Sequence, residues 1–110
     1  MNDVILDPVT PGEILRDDFM KPLKISINQM ARDIAVPANR ISNIVNGKRG
    51  ITADTALRLE RYFGVEAQFW LNLQSEYDLL LMKRRIESDI KRRIIPIQRA
   101  EAETRQQIMT

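Results

Sequence analysis

Amide and basic side chains cluster between Pro37 and Gly50, at positions that a single helix would turn outward. Asn and Arg can each form paired hydrogen bonds to purine edges in the major groove of DNA, and Lys and Arg neutralise phosphates. The segment contains no Asp or Glu, so its basic residues are expected to be uncompensated. The outward positions are Ala38, Asn39, Arg40, Ser42, Asn43 and Asn46, followed by Lys48 and Arg49. These residue types predict a helix that reads base edges.

The elements that must position these side chains are two short helices joined by a tight turn. Ser26 followed by Gln29 is a capping box, which predicts that the first helix begins near Ile27. Pro37 suits the first position of the second helix, and Gly47 suits a left-handed residue that ends it. The inward apolar positions are Met30, Ala31, Ile34, Ile41, Ile44 and Val45. Together these features predict a helix-turn-helix that binds DNA.

A merely solvated surface is the alternative interpretation of this polar face. Helices with a polar outer face occur in many small bundles, and an Asn-rich surface often binds nothing. A solvated helix more often mixes both signs of charge, however, whereas the charged residues from Pro37 to Gly50 are all basic. The charge pattern therefore favours DNA binding.

Three further helices are predicted around this pair. Thr10, followed by Pro11 and Glu13, predicts a first helix that runs to about Met20 and ends before Pro22. Thr52 is expected to cap a fourth helix that closes at Gly64, and a fifth follows Val65. The positions expected to face the core are Ile14, Leu15, Phe19, Ala56, Leu57, Leu59, Phe63, Phe69, Trp70 and Leu73, with Tyr77 left open.

The apolar pattern continues well beyond what a small bundle needs. Apolar residues recur at spacings of three and four as far as Pro96, which should end or kink the helix near Ile95. This stripe contains Leu79, Met82, Ile86, Ile90, Ile94 and Ile97. It either packs back on its own bundle or forms a dimer interface. Lys and Arg outnumber acidic residues from Lys83 to Arg99, and could contact phosphate or an acidic partner.

The sequence thus predicts an all-α protein, a five-helix bundle with a helical C-terminal extension. We expect residues 1–9 to form an N-terminal arm and residues 10–78 the helix-turn-helix DNA-binding domain. Residues 79–110 form the extension, and the polar stretch from Gln98 onward is expected to fray.

Composition narrows the classes of function. The chain of 110 residues has no cysteine and no histidine, so we expect no disulfide framework, no thiolate metal site, no cofactor and no enzymatic activity. Asp17 and Asp18 are the only adjacent acidic pair, and neighbours on a helix do not face the same way. No run is apolar enough to span a membrane and no secretory signal is evident, so a cytoplasmic protein without a membrane partner is expected.

Three longer motifs resemble a known family. These are PGEIL beginning at Pro11, PANRISNIVNGKRGITADTALRLERYFG beginning at Pro37, and FWLNLQSEYDL beginning at Phe69. The series resembles the HigA-type antitoxins, also called the VapI group, within the Xre/Cro-like helix-turn-helix superfamily. The resemblance implies the lambda-repressor-like form of the helix-turn-helix bundle. It extends from Pro11 to Leu79 and does not include the extension.

The resemblance also implies partners and residue roles. HigA-type proteins are dimeric antidotes that silence a HigB toxin, a RelE-like mRNA endonuclease, and repress their own operon by binding a palindromic operator in double-stranded DNA. The base-reading positions would be Ala38, Asn39, Arg40, Ser42 and Asn43. The phosphate-binding positions would be Ser26, Gln29, Asn46, Lys48 and Arg49. The dimerisation positions suggested by the stripe are Leu79, Met82, Ile86, Ile90 and Ile94.

Two other functions fit the sequence. Many regulators share the helix-turn-helix fold without a toxin, so a stand-alone Xre-family repressor is the first alternative. The second is a protein-interaction module that uses the isoleucine stripe and the basic extension, with a DNA face that binds nothing.

Overall fold

The computed structural model of the chain describes residues 7–98 and contains five helices there. Helix α1 (Pro11–Ile14) continues without a break into a π-helical segment (Leu15–Met20). The remaining helices are α2 (Ile27–Asp33), α3 (Ala38–Val45), α4 (Ala53–Phe63) and α5 (Ala67–Arg93). The predicted all-α class is therefore confirmed. Most of the expected N-terminal arm and of the expected frayed end, residues 1–6 and 99–110, lies outside the described residues.

Two of the predicted helix caps form as expected. The Thr10 hydroxyl accepts the Glu13 N–H at 3.1 Å, and the Ser26 hydroxyl accepts the Gln29 N–H at 3.1 Å. Each bond satisfies one of the backbone donors that a helix start leaves without a partner. The starts of α1 and α2 are thus set by the residues that the sequence indicated.

The starts of α3 and α4 differ in detail from the prediction. Pro37 is the N-cap of α3 and not its first residue, because its ψ of 144° is extended and helical geometry begins at Ala38. Thr52 occupies the N-cap position of α4, but its side chain forms no capping hydrogen bond. The local sequence therefore predicted the first residues of α3 and α4 to within one position, but it did not predict whether a side chain would form a capping hydrogen bond.

The π-helical segment was not expected from the sequence. Its wider turn is closed by bonds such as that from the Lys21 N–H to the Arg16 carbonyl, at 2.9 Å. Residues five apart diverge on an α-helix but lie close together on the wider π-turn. Leu15 and Met20 are consequently both buried.

The core of the bundle is built around Trp70, which is fully buried. The Phe19 ring lies against it with centroids 4.8 Å apart, a tilted contact favourable for aromatic pairs. The other core side chains include Leu15, Met30, Ile41, Ile44, Ala56 and Leu59.

Two residues expected in the core are exposed. Leu57 is 59% exposed, because α4 turns Ala56 and Leu59 inward and Leu57 away from them. Phe69 is 37% exposed, since its ring packs on the edge of Trp70 at the margin of the core. Tyr77, whose position the sequence left open, is half-buried.

Helix α5 belongs to both the bundle and the extension. It runs for 27 residues without interruption, so the expected domain boundary after residue 78 lies inside a helix. It ends at Arg93, slightly earlier than expected, because Ile94 is already extended ahead of Pro96. The stripe residues are between 37% and 62% exposed, at Leu79, Met82, Ile86, Ile90 and Ile94. The interpretation in which the stripe packs back on its own bundle is therefore wrong for the described residues.

Helices α1 and α3 meet at Gly12, where two backbones touch. A Cβ at Gly12 would lie 1.7 Å from the carbonyl oxygen of Ile44 and 3.0 Å from the Cα of Val45. Only glycine permits this approach, because the atoms it meets belong to backbone and have no rotamer by which to withdraw. The last turn of α3 is thereby held against the start of α1.

We expect Gly12→Ala to destabilise the protein by about 3 kcal/mol or more, because a methyl group must push two backbones apart. Thermal unfolding followed by circular dichroism would measure the loss. Gly50→Ala is the matched control, since the atoms nearest to its added Cβ belong to the end of the Gln74 side chain, at 3.0 Å, and not to backbone. Equal losses for the two variants would contradict a special role for the contact at Gly12.

Candidate nucleic-acid interface

The outward face of α3 carries most of the predicted base-reading side chains. Ala38 and Asn39 are exposed, and Ser42 and Asn43 are half-buried. The opposite face is buried through Ile41, Ile44 and Val45. Burial therefore fixes the rotation of α3 about its own axis and turns this polar surface away from the core.

The turn between α2 and α3 is tight and locally strained. Ala35 has a φ of +59°, a left-handed conformation that is uncommon for alanine. The Val36 N–H donates to the carbonyl of Ala31 at 2.9 Å, which closes the end of α2. The result is a helix-turn-helix with a short connection.

The end of α3 directs two basic residues into the following loop. Gly47 has a φ of +74°, which confirms the predicted left-handed position. The Gly47 N–H donates to the Ile44 carbonyl at 3.1 Å and the Lys48 N–H donates to the Asn43 carbonyl at 2.8 Å. This pair of bonds is a Schellman motif. Lys48 and Arg49 follow it and are exposed.

The loop after α3 is anchored to α5 by a residue that the sequence did not single out. The side-chain oxygen of Gln74 accepts the Ile51 N–H at 2.8 Å. Tyr77 lines the same cleft between the loop and α5, together with Lys48. These contacts hold the basic loop beside the recognition helix.

Arg40 differs from the expectation of an uncompensated charge. Its Nη1 lies 2.5 Å from Oδ2 of Asp54, and its side chain is only 22% exposed. The prediction was wrong because Asp54 lies 14 positions away, in the first turn of α4. By contrast, Lys48 and Arg49 form no ion pair within residues 7–98.

Asp54 is itself held by a second arginine. Arg58, one turn later on α4, donates from Nε to the same Asp54 oxygen at 3.0 Å. Hydrogen bonds from Arg58 and then from Arg40 lower the pKa of the Asp54 carboxyl below its usual value, so it stays ionised near neutral pH. Spacing of i to i+4 could have revealed the Asp54–Arg58 pair, but nothing local pointed to Arg40.

Two of the predicted phosphate-binding residues lie at the start of α2 and not on α3 or in the loop after it. Ser26 and Gln29 are both exposed at the start of α2, where the Ser26 hydroxyl is occupied by the capping bond to Gln29. Asn46 ends α3 and donates from its side chain to the Ser42 hydroxyl at 3.4 Å. Asn46, Lys48 and Arg49 thus follow one another at the end of α3, whereas Ser26 and Gln29 belong to the start of α2.

The stripe on α5 forms an open apolar surface bordered by charge. Leu79, Met82, Ile86 and Ile90 line it together with Lys83, Glu87 and Lys91. Near the end of the helix, Asp89 pairs with Arg92 and with Arg93, at 3.2 Å in the second case. No helix within residues 7–98 is long and apolar enough to cross a membrane.

Comparison with known proteins identifies the family. The helix-turn-helix family model matches residues 18–70. The virulence-associated protein I of Dichelobacter nodosus is 51% identical over 76 residues, which are 69% of this chain and 70% of that protein. The antitoxin HigA of Pseudomonas aeruginosa, solved with the higBA promoter, is 46% identical with a TM-score of 0.80, over 83% of this chain and 99% of that one. This chain belongs to the HigA-type antitoxins.

A further relative supports the same family. The HigA-1 antitoxin of Vibrio cholerae is 34% identical over 84 residues, 76% of this chain and 79% of that protein. The HigA-type proteins are DNA-binding regulators and not enzymes, as the sequence predicted. The family resemblance and the five-helix form of the bundle are likewise confirmed.

Proposed function

We propose that this chain is the antitoxin of a type II toxin–antitoxin module and the repressor of its own operon. In this proposal it neutralises a HigB/RelE-like mRNA endonuclease and binds a palindrome in its promoter, acting in the cytoplasm. The observation that carries the proposal is the likeness to the Pseudomonas aeruginosa HigA solved with promoter DNA, which spans almost all of that protein. The exposed amide face of α3 supports the DNA-binding part.

The proposed DNA contacts fall into two groups. Base edges would be read by Ala38, Asn39, Arg40, Ser42 and Asn43, on or beside the outward face of α3. Phosphates would be bound by Ser26, Gln29, Asn46, Lys48 and Arg49. The first group supplies sequence preference, and the second supplies affinity that depends on salt.

A homodimer would supply the two recognition helices that a palindrome requires. A single helix-turn-helix makes few base contacts, so dimers bind half-sites about one helical turn apart. The exposed stripe on α5 is the apolar surface best suited to a second copy of the chain, because it is long, regular and bordered by charge.

We expect Asn39→Ala to weaken binding to the preferred operator by about 1–3 kcal/mol and to relax specificity at one base pair. Lys48→Ala should weaken binding to every duplex and reduce the salt slope by about one. Titrations of matched operator and scrambled duplexes over a range of salt would measure both. Lys21→Ala is the control, because the Lys21 ammonium is already paired with Asp17 at 3.2 Å. An equal loss on both duplexes for Asn39→Ala would remove Asn39 from the base-reading group.

Toxin neutralisation is tested by co-expression with the small open reading frame adjacent to this gene. We expect that frame to arrest growth when it is induced alone and growth to recover when this chain is co-expressed. The Asn39→Ala variant should rescue growth equally well if toxin binding and base reading use different surfaces. A harmless neighbour, or arrest that this chain does not relieve, would leave a stand-alone repressor. Loss of DNA binding as well would leave a protein-interaction module.

Dimerisation is tested by placing charge in the stripe. We expect Ile86→Asp with Ile90→Asp to give monomers in sedimentation, because burying two carboxylates in an apolar interface is unfavourable. The control is Arg84→Ala with Ser88→Asp, which changes the net charge equally but outside the stripe. An unchanged mass for the Ile variant would exclude the stripe as the dimer interface.

A further inference from the structure

One carboxylate oxygen on α4 binds an arginine of α3 and an arginine of α4, and the second arginine also reaches the end of α2. Oδ2 of Asp54 on α4 accepts from Arg40 on α3 at 2.5 Å and from Arg58 on α4 at 3.0 Å. Nη1 of Arg58 also donates to the carbonyls of Ile34 at 2.8 Å and Ala35 at 3.2 Å, just after α2. Arg58 is therefore fixed at both ends, and it fixes Asp54 in turn.

This arrangement restricts which edge of Arg40 is available to a ligand. Its Nε is buried without a hydrogen-bond partner, and its Nη1 is occupied by Asp54. A guanidinium is rigid and planar, so holding one nitrogen orients the others. Nη2, which has no partner among the described residues, and the second hydrogen of Nη1 remain for an external acceptor.

The same contact offsets part of the charge of Arg40, because the single negative charge of Asp54 is shared between Arg40 and Arg58. Binding to random DNA depends on the number of phosphates that free cations neutralise. Lys48 and Arg49 are unpaired within the described residues and are suited to that task, whereas Arg40 shares the carboxylate of Asp54 with Arg58. Base-edge hydrogen bonds need a well-oriented donor more than a free charge. An arginine held by a carboxylate is thus better suited to base edges than to phosphates.

We propose that Asp54 is a positioning and specificity-determining residue of the DNA interface. It orients the Arg40 guanidinium for a base edge and weakens the attraction of that cation to phosphate. The inference rests on the proposed DNA-binding function of α3, and it assigns to Asp54 a role that acts only through Arg40.

The test is a double-mutant cycle on defined DNA. A duplex selected from a random library by the wild-type protein and a scrambled duplex of the same composition serve as probes. Dissociation constants are measured over a range of salt for the wild type, Asp54→Asn, Arg40→Ala and the double variant. We expect Asp54→Asn to lower the preference for the selected duplex about tenfold, and to steepen the salt slope on the scrambled duplex by about one. With Arg40→Ala present, Asp54→Asn should change that preference less than about twofold.

Asp33→Asn is the matched control for loss of a carboxylate. Asp33 lies on α2 and accepts a hydrogen bond from Tyr62 at 2.5 Å, and it pairs with no arginine between residues 7 and 98. The Asp33→Asn variant should change the affinities for both duplexes by the same factor and leave the preference for the selected duplex unchanged. The inference is overturned if Asp54→Asn behaves in the same way, or if its effect on preference persists without Arg40.

A second variant covers the case in which Asp54→Asn fails to fold. Asp54→Glu keeps the charge and lengthens the side chain by one methylene, so it separates orientation from neutralisation. We expect a several-fold loss of preference with an unchanged salt slope on scrambled DNA. Full retention of preference by Asp54→Glu would overturn the orienting role. If the wild type selects no sequence at all, the DNA-binding function itself fails; if it selects one and the cycle shows no coupling, only the role of Asp54 fails.

Discussion

The position of the recognition helix depends on a contact between two backbones. Gly12 at the start of α1 lies directly against the carbonyl of Ile44 in the last turn of α3. Packed backbones cannot change rotamer, so this contact is less adaptable than one between side chains. Ile41, Ile44 and Val45 then bury the inner face of the helix and set its rotation. The outward direction of Asn39 and Asn43 is a consequence of these inner contacts.

The surface that results separates two kinds of positive charge. Lys48 and Arg49 leave α3 through the Schellman turn at Gly47 and are paired with no acid among the described residues. Arg40 instead lies in a network with Asp54 and Arg58, which also reaches the carbonyl end of α2. Net charge alone would treat these cations as equivalent. Because their partners differ, we expect Lys48 and Arg49 to contact phosphates, which are the same along any DNA, and Arg40 to contact base edges, which differ with sequence.

Short-range features were the ones that the sequence could predict. The capping bonds at Thr10 and Ser26 and the left-handed Gly47 involve residues three or fewer positions apart, so the local pattern was sufficient. The Arg40–Asp54 pair was missed because it depends on where tertiary packing places the first turn of α4 relative to α3. Leu57 and Phe69 have apolar side chains at helical spacing, yet their exposure is decided by which neighbours reach them. The outward polar face of α3 was therefore predictable from the sequence, but the hydrogen-bond network of Arg40, Asp54 and Arg58 was not.

Helix α5 is a single uninterrupted helix that joins the bundle to its extension. Trp70 lies in the core and Ile90 lies twenty residues later on the same uninterrupted helix, about 30 Å away at 1.5 Å per residue. No Gly or Pro interrupts the helix between them, so no obvious hinge absorbs torsion. Inserting one residue into α5 between Trp70 and Ile90 would rotate the apolar stripe by about 100° about the helix axis relative to the bundle. The number of residues in α5 therefore sets the direction in which the stripe faces, just as the side chains set its apolar character.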